Sequence, residues 1–234
     1  MQNGQFLVTM LIEGRQAREF EHCGRVYVVA VGERYFVLHC ENKSASRVEV
    51  QASVDGLSVM NGKLAGTTNT AGGYIVEPNG YVDIPGYRLD DTTVAGFRFG
   101  GVEQSYARRI DAPTQVGVIG IRVYAERPHI PDFDRSGGYD TMRGGDSLTM
   151  GGMKGLGTAF GERKEHRVTR VSFERGRLAA ELVFEYNNET GFKAAGIIIP
   201  PEPVSPPVKT AFPGDAQTGC TPPPGWKSMH KPTR

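Results

Sequence analysis

The chain has 234 residues with 27 Lys and Arg against 26 Asp and Glu, so the formal charge is +1. That balance argues against an electrostatic case for nucleic acid or for an anionic membrane, and the paired Arg108 and Arg109 read as solvated surface. Hydrophobic residues at 38% allow one packed core, and 31 Gly with 15 Pro make about a fifth of the chain, below the level that signals wholesale disorder.

The first residues lack a basic segment followed by an apolar run, so no secretory signal is expected. No apolar stretch approaches the ~18 residues a membrane helix needs. Synthesis and folding in the cytosol are the expectation. Three cysteines, Cys23, Cys40 and Cys220, are too few and too odd in number for a disulfide framework.

In chain order, strand signals dominate. Residues 6–12 are β-rich. Residues 25–31 and 34–40 are two β-branched and aromatic runs joined by Gly32-Glu33, which suits a type II′ hairpin. Val48, Val50, Ala52 and Val54 alternate with Arg47, Glu49, Gln51 and Ser53, the pattern of a half-buried antiparallel strand. Asp55-Gly56 and Asn61-Gly62 mark turns around a short strand at residues 57–60. Residues 73–76 and 81–84 flank a turn at residues 77–80, and residues 94–99 put Ala95, Phe97 and Phe99 on one face. Residues 116–125 are apolar on both faces and read as a central, doubly covered strand, with Gly117 and Gly120 marking a bulge or a close backbone approach. Residues 167–174 and 178–186 read as a late strand pair about Arg175-Gly176-Arg177, with Leu178, Ala180, Leu182, Phe184 and Tyr186 on one face. Helix signal is confined to residues 190–195, stopped by Gly196.

The expected fold is therefore all-β: an antiparallel β-sandwich or jelly-roll-like domain built from residues 1–127 and 162–199. Residues 128–161 read as a long Gly-rich insertion. Residues 200–234 read as a Pro-rich extended C-terminal arm that has too little apolar surface to fold alone.

Few motifs point to chemistry. Asp132, Asp134, Ser136 and Asp140 with Gly137 imitate the start of a calcium loop, but Arg143 stands where the bidentate Glu belongs, so a self-capped polar turn is the favoured reading. Residues 152–158 are Gly-rich around Lys154 without a Gly-Lys-Ser/Thr ending, and read as a flexible loop. In the expected hairpin Cys40 pairs with Arg25 and Cys23 lies diagonally across from Cys40, while His22 and His39 point to the other face. Buried free cysteines are favoured over a bridge or a zinc site. Asp55, Asp83, Asp90 and Asp91 sit near turns, where Asp is common. No catalytic, metal or cofactor residues are assigned.

A set of short segments carries a resemblance: Val54-Asp55-Gly56-Leu57, Asn61-Gly62-Lys63, Gly73-Tyr74, Ile84-Pro85-Gly86-Tyr87-Arg88, Val94-Ala95-Gly96-Phe97-Arg98-Phe99, Ser105-Tyr106-Ala107 and Gly117-Val118-Ile119-Gly120, with Gly155-Leu156-Gly157-Thr158 and Gly161-Glu162 later. Over roughly residues 25–196 the chain resembles an uncharacterised β-rich family of bacterial and phage genomes. The resemblance implies an association with phage or mobile-element proteins and no particular activity.

The functional expectation is a non-enzymatic structural protein that works by assembly, a phage virion component such as a capsid-associated, decoration or tail/fibre protein. Its partners would be copies of itself or other subunits of a large assembly. The arm at residues 200–234 and the insertion at residues 128–161 would carry the contacts, with Phe212 and Trp226 as anchors beside Pro206 and Pro207. Two alternatives are a monomeric carbohydrate- or protein-binding module, in which Tyr74, Tyr81 and Tyr87 line a site, and a hydrolase whose paired carboxylates meet only in space.

Overall fold

The computed structural model describes residues 1–66, 72–109, 115–127 and 156–201. The chain divides into two units, Met1–Pro200 and Pro201–Arg234. Of the second, only residue 201 is described.

Among the described residues fifteen strands form in chain order: β1 (Gln2–Asn3), β2 (Phe6–Ile12), β3 (Arg15–Gln16), β4 (Glu19–His22), β5 (Arg25–Val29), β6 (Tyr35–Asn42), β7 (Val48–Val54), β8 (Leu57–Ser58), β9 (Tyr74–Val76), β10 (Tyr81–Ile84), β11 (Gly86–Arg88), β12 (Thr93–Gly100), β13 (Val118–Glu126), β14 (Gly157–Glu165) and β15 (Arg175–Asn187). Among the described residues a 3-10 turn at Val102–Gln104 and two short α-helices accompany them, α1 (Tyr106–Arg109) and α2 (Glu189–Ala194). The strands make two sheets in an all-β sandwich. Sheet A has eight strands along the path β1-β2-β6-β12-β11, with β3, β10 and β14 as branches. Sheet B has seven along β4-β5-β15-β13-β7-β8, with β9 on β7.

The period-two patterns decide which side chains enter the space between the sheets. Sheet A contributes Val8, Met10, Phe36, Leu38, Phe97 and Phe99, all buried; sheet B answers with Val50, Val54, Ile119, Ile121, Leu182 and Phe184. At the centre Phe36 stacks on Phe97 and Phe99, with ring centroids 5.1 and 4.5 Å away, and Tyr186 reaches it from the other sheet at 6.2 Å. Removing one such ring typically costs about 3–5 kcal/mol, because the cavity adds to the lost transfer energy.

Several expectations change. Residues 25–31 and 34–40 do not form a hairpin: β5 lies in sheet B and β6 in sheet A. The hairpin sits one turn earlier, where β4 pairs with β5 through His22↔Arg25 and Cys23-Gly24 forms the loop. Both loop residues have positive φ, 50° and 73°, which a type I′ turn requires. Cysteine is an unusual first residue there, which hides the signal. β5 is also parallel to β15, so sheet B is mixed.

Residues 167–174 are not a strand, and β15 pairs antiparallel with β13 instead. β13 is central by hydrogen bonding, between β15 and β7, but it is covered on one face only: Ile119, Ile121 and Val123 are buried, while Val118, Gly120 and Arg122 are half-exposed. The even alternation expected for β15 breaks at Ala179, where the register with β13 shifts. Leu178 consequently turns outward and is 47% exposed. β14 begins at Gly157, inside the stretch read as insertion and flexible loop. Its pairing with β12 through Gly100↔Gly157 to Thr93↔Glu165 overrides the low strand propensity of its glycines.

Candidate functional site

Four places in the described domain concentrate polar or exposed apolar chemistry, and each is built from a local feature of the sequence. The first is Asp55. It occupies the first loop position of the β7–β8 hairpin, with φ of 53° followed by Gly56 at 79°. Asp-Gly is the expected I′ pair, yet the carboxylate points inward and is fully buried. It accepts hydrogen bonds from the Gly117 and Thr158 backbone N–H groups and from the Tyr186 hydroxyl, each at 2.7 Å. Thr158 Oγ1 lies 2.6 Å from the Tyr186 oxygen. With the tyrosine proton committed to Asp55, the threonine is the donor. Tyr87 donates to the Val54 carbonyl beside them. Burial, with the Asp55 charge next, pushes both tyrosine hydroxyls well above their ordinary titration range. This node ties β7, β13, β14 and β15 together, and its acceptor capacity is spent on the protein's own donors.

The second place is Arg88 at the end of β11. Its guanidinium donates to the His166 carbonyl at 2.6 Å, to the Tyr74 hydroxyl at 2.7 Å and to His166 Nδ1 at 2.5 Å. Burial and the neighbouring Arg88 charge hold the His166 imidazole below its usual pKa. The cluster latches the chain after β14 onto the sandwich, helped by His166 and Val168 N–H groups bonding to Thr92 and Asp91 carbonyls.

The third is a strip on the outward face of sheet A. His39 Nδ1 lies 2.6 Å from Asp83 Oδ1, and its Nε2 lies 3.6 Å from Glu41 Oε1. Tyr81 covers the imidazole with its ring centroid at 4.9 Å.

The fourth is where the chain leaves the domain. Asn188 caps α2 by accepting from Gly191 N–H at 2.7 Å. Gly196, at φ 72°, closes it: Gly196 N–H bonds to the Lys193 carbonyl and Ile197 N–H to the Phe192 carbonyl. That is the Schellman arrangement, and an apolar contact accompanies it, since Ile197 packs against the cluster of Tyr27, Val29 and Phe192. Phe192 is buried against Tyr27 and Phe20 on the outward face of β4 and β5, ring centroids 5.6 and 5.5 Å apart. Ile197 and Ile199 join this cluster while Ile198 between them is 80% exposed.

The residues singled out in the sequence fare unevenly. Phe212, Trp226, Pro206 and Pro207 lie outside the described residues, as do Asp132, Asp134, Ser136 and Asp140. Cys40 is buried in β6 and burial pushes its thiol up to about 12. Cys23 is exposed in its turn, so the shared-face geometry expected for the two does not form. Tyr74 and Tyr87 are buried and Tyr81 is exposed, so the three do not line one site. Asp90 caps the turn before β12, accepting from Thr92 and Thr93, which hold its carboxyl well below the usual range. Asp91 pairs with Arg170. Among the described residues no three His, Cys, Asp or Glu side chains gather as a metal site requires. No described helix is long and apolar enough to cross a membrane.

No family model, no curated protein and no solved structure matches this chain.

The Asp55 node and the capped chain exit were not anticipated. A signal for the first existed: Asp55-Gly56 and Gly117 are both positions where backbone must turn sharply, and a buried carboxylate is one way to satisfy the N–H groups such turns expose.

Proposed function

We propose that this chain is a non-enzymatic structural protein that works by assembly, joining copies of itself or other subunits of a large particle through its C-terminal arm. In its sharpest form the particle is a phage virion, the setting implied by the family resemblance. The observation that carries the reading is the clamped exit at Gly196–Ile199. A chain end that merely frays does not need a capped helix, a Schellman closure and two isoleucines seated on an aromatic cluster. An arm that bears load between subunits does, because its anchor must resist being peeled from its own domain.

Reach supports the same reading. Residues 201–234 follow the clamp, and a polyproline chain of that length spans roughly 100 Å. That is long enough to cross a neighbouring domain. The sequence holds one tryptophan, Trp226, within this segment, so its emission reports on the arm alone. If the arm docks on other copies, Trp226 emission in the full chain shifts to the blue as protein concentration rises and returns on dilution. Emission that stays at the solvent-exposed wavelength at every concentration would sink the proposal.

A further inference from the structure

The outward face of sheet A carries a second surface that is independent of the arm. Its floor is β2, β6 and β10, paired in register. One cross-strand row reads Leu7, Glu41, Tyr81 and the next Thr9, His39, Asp83. Alternation fixes their direction: Phe36, Leu38, Cys40 and Asn42 of β6 are buried, as are Val8, Met10 and Ile84 of the neighbours, so these two rows face away from the core.

The rows combine three kinds of chemistry. Tyr81 is 67% exposed, the most open of the large apolar side chains on β2, β6 and β10. It tilts by 38° over the His39 imidazole. That imidazole is held on one side by Asp83 at 2.6 Å, and Glu41 stands 3.6 Å from its other nitrogen. Glu41 is also 3.5 Å from Lys43 Nζ. The Asp83 side chain is half exposed and that of Glu41 about a third, so both keep acceptor lone pairs toward solvent. Thr9 adds a hydroxyl-bearing residue opposite His39.

We infer that this strip binds a neutral, hydroxyl-rich saccharide. A tyrosine face attracts the C–H face of a pyranose ring, since the ring's π face is the negative end of its quadrupole. Carboxylate and imidazole groups beside it accept and donate to the sugar's hydroxyls, with Asp83 fixing the orientation of His39. The spacing suits this: successive same-face rows lie about 7 Å apart along a strand. A sugar stacked on Tyr81 therefore carries its hydroxyls over the Asp83–His39 row. A cationic ligand fits less well. Both carboxylates already face internal partners, His39 and Lys43, so the strip is not a concentrated negative field.

The test is native electrophoresis of the full chain through gels containing hydroxyethylcellulose, soluble starch, xylan or laminarin, one polymer per gel. The expected result is retardation in at least one gel. Tyr81→Ala abolishes it and Asp83→Asn weakens it several-fold. Val183→Ser, on the outward face of the opposite sheet, leaves it unchanged. Urea midpoints within error of wild type for Tyr81→Ala and Asp83→Asn exclude unfolding as the cause. Migration unaffected by all four polymers overturns the inference, as does retardation that survives Tyr81→Ala. Retardation erased equally by moderate salt also overturns it, because that behaviour belongs to an ionic ligand.

Discussion

At the scale of single residues the sandwich depends on a few polar groups placed where water cannot reach them. Asp55 is the sharpest case. Its residue type was legible as a turn former, but its carboxylate serves the Gly117 N–H just before β13, the Thr158 N–H of β14 and the Tyr186 hydroxyl of β15, and only folding brings those together. Sequence spacing of more than 100 residues between Asp55 and Thr158 carries no local signal. Asp55→Ala leaves buried N–H groups and a buried hydroxyl without their acceptor, each worth about 1–3 kcal/mol when unsatisfied. The expected loss is roughly 3–5 kcal/mol in urea denaturation, clearly larger than that of the exposed-turn substitution Asp90→Ala, whose partners regain water. Equal effects of the two would refute the structural role given to Asp55. His166 sets a pH dependence. Its pKa is lowered in the folded state, so above the unfolded value of about 6.5 both states are neutral and it contributes nothing that varies. Below that, the unfolded chain takes up the proton first and stability falls until the native imidazole also titrates. Wild type should lose more stability than His166→Gln between pH 7.5 and pH 5.5, read as the difference in urea midpoints.

At the scale of elements, strand runs were readable and their partners were not. β2, β7 and β10 stand at the residues where the strand runs put them, but β7 is not half-buried as its alternation suggested, since Glu49 and Gln51 on its second face are buried too. The pairing of residues 25–31 with 34–40 failed because β5 joined β4 and β15 in one sheet while β6 joined β2, β10 and β12 in the other, a choice of long-range partners that no local turn signal carries. β14 was hidden because its first residues, Gly157 and Thr158, look like a loop in isolation. Gly157 is there because a side chain would strike Ser105 and Val116. The helix α2, by contrast, was foreseen from Gly196 as its stop, and the structure adds that the stop doubles as the clamp for the exit. Gly196→Ala must adopt φ of 72° with a Cβ, at a cost of about 1 kcal/mol. The expected signature is local: amide exchange at Ile197 and Phe192 speeds up while the β-sandwich amides keep their protection. Uniform loss of protection across the sheets would show that the clamp is part of the global fold and not a separate anchor.

At the scale of the whole molecule, composition and periodicity carried the all-β sandwich, while the division into domain and arm at residue 200 rests on the change to proline-rich sequence. Function was not legible to that degree, because it lives in surfaces and partners, while pattern reports mainly on what faces inward. The measurement that bears most directly on the account is sedimentation of the full chain beside a variant ending at residue 200. The account predicts species heavier than the 25.5 kDa protomer for the full chain at micromolar concentration, and a folded monomer for the shortened one. A full chain that remains monomeric across that range, or a shortened chain that assembles equally well, would contradict it.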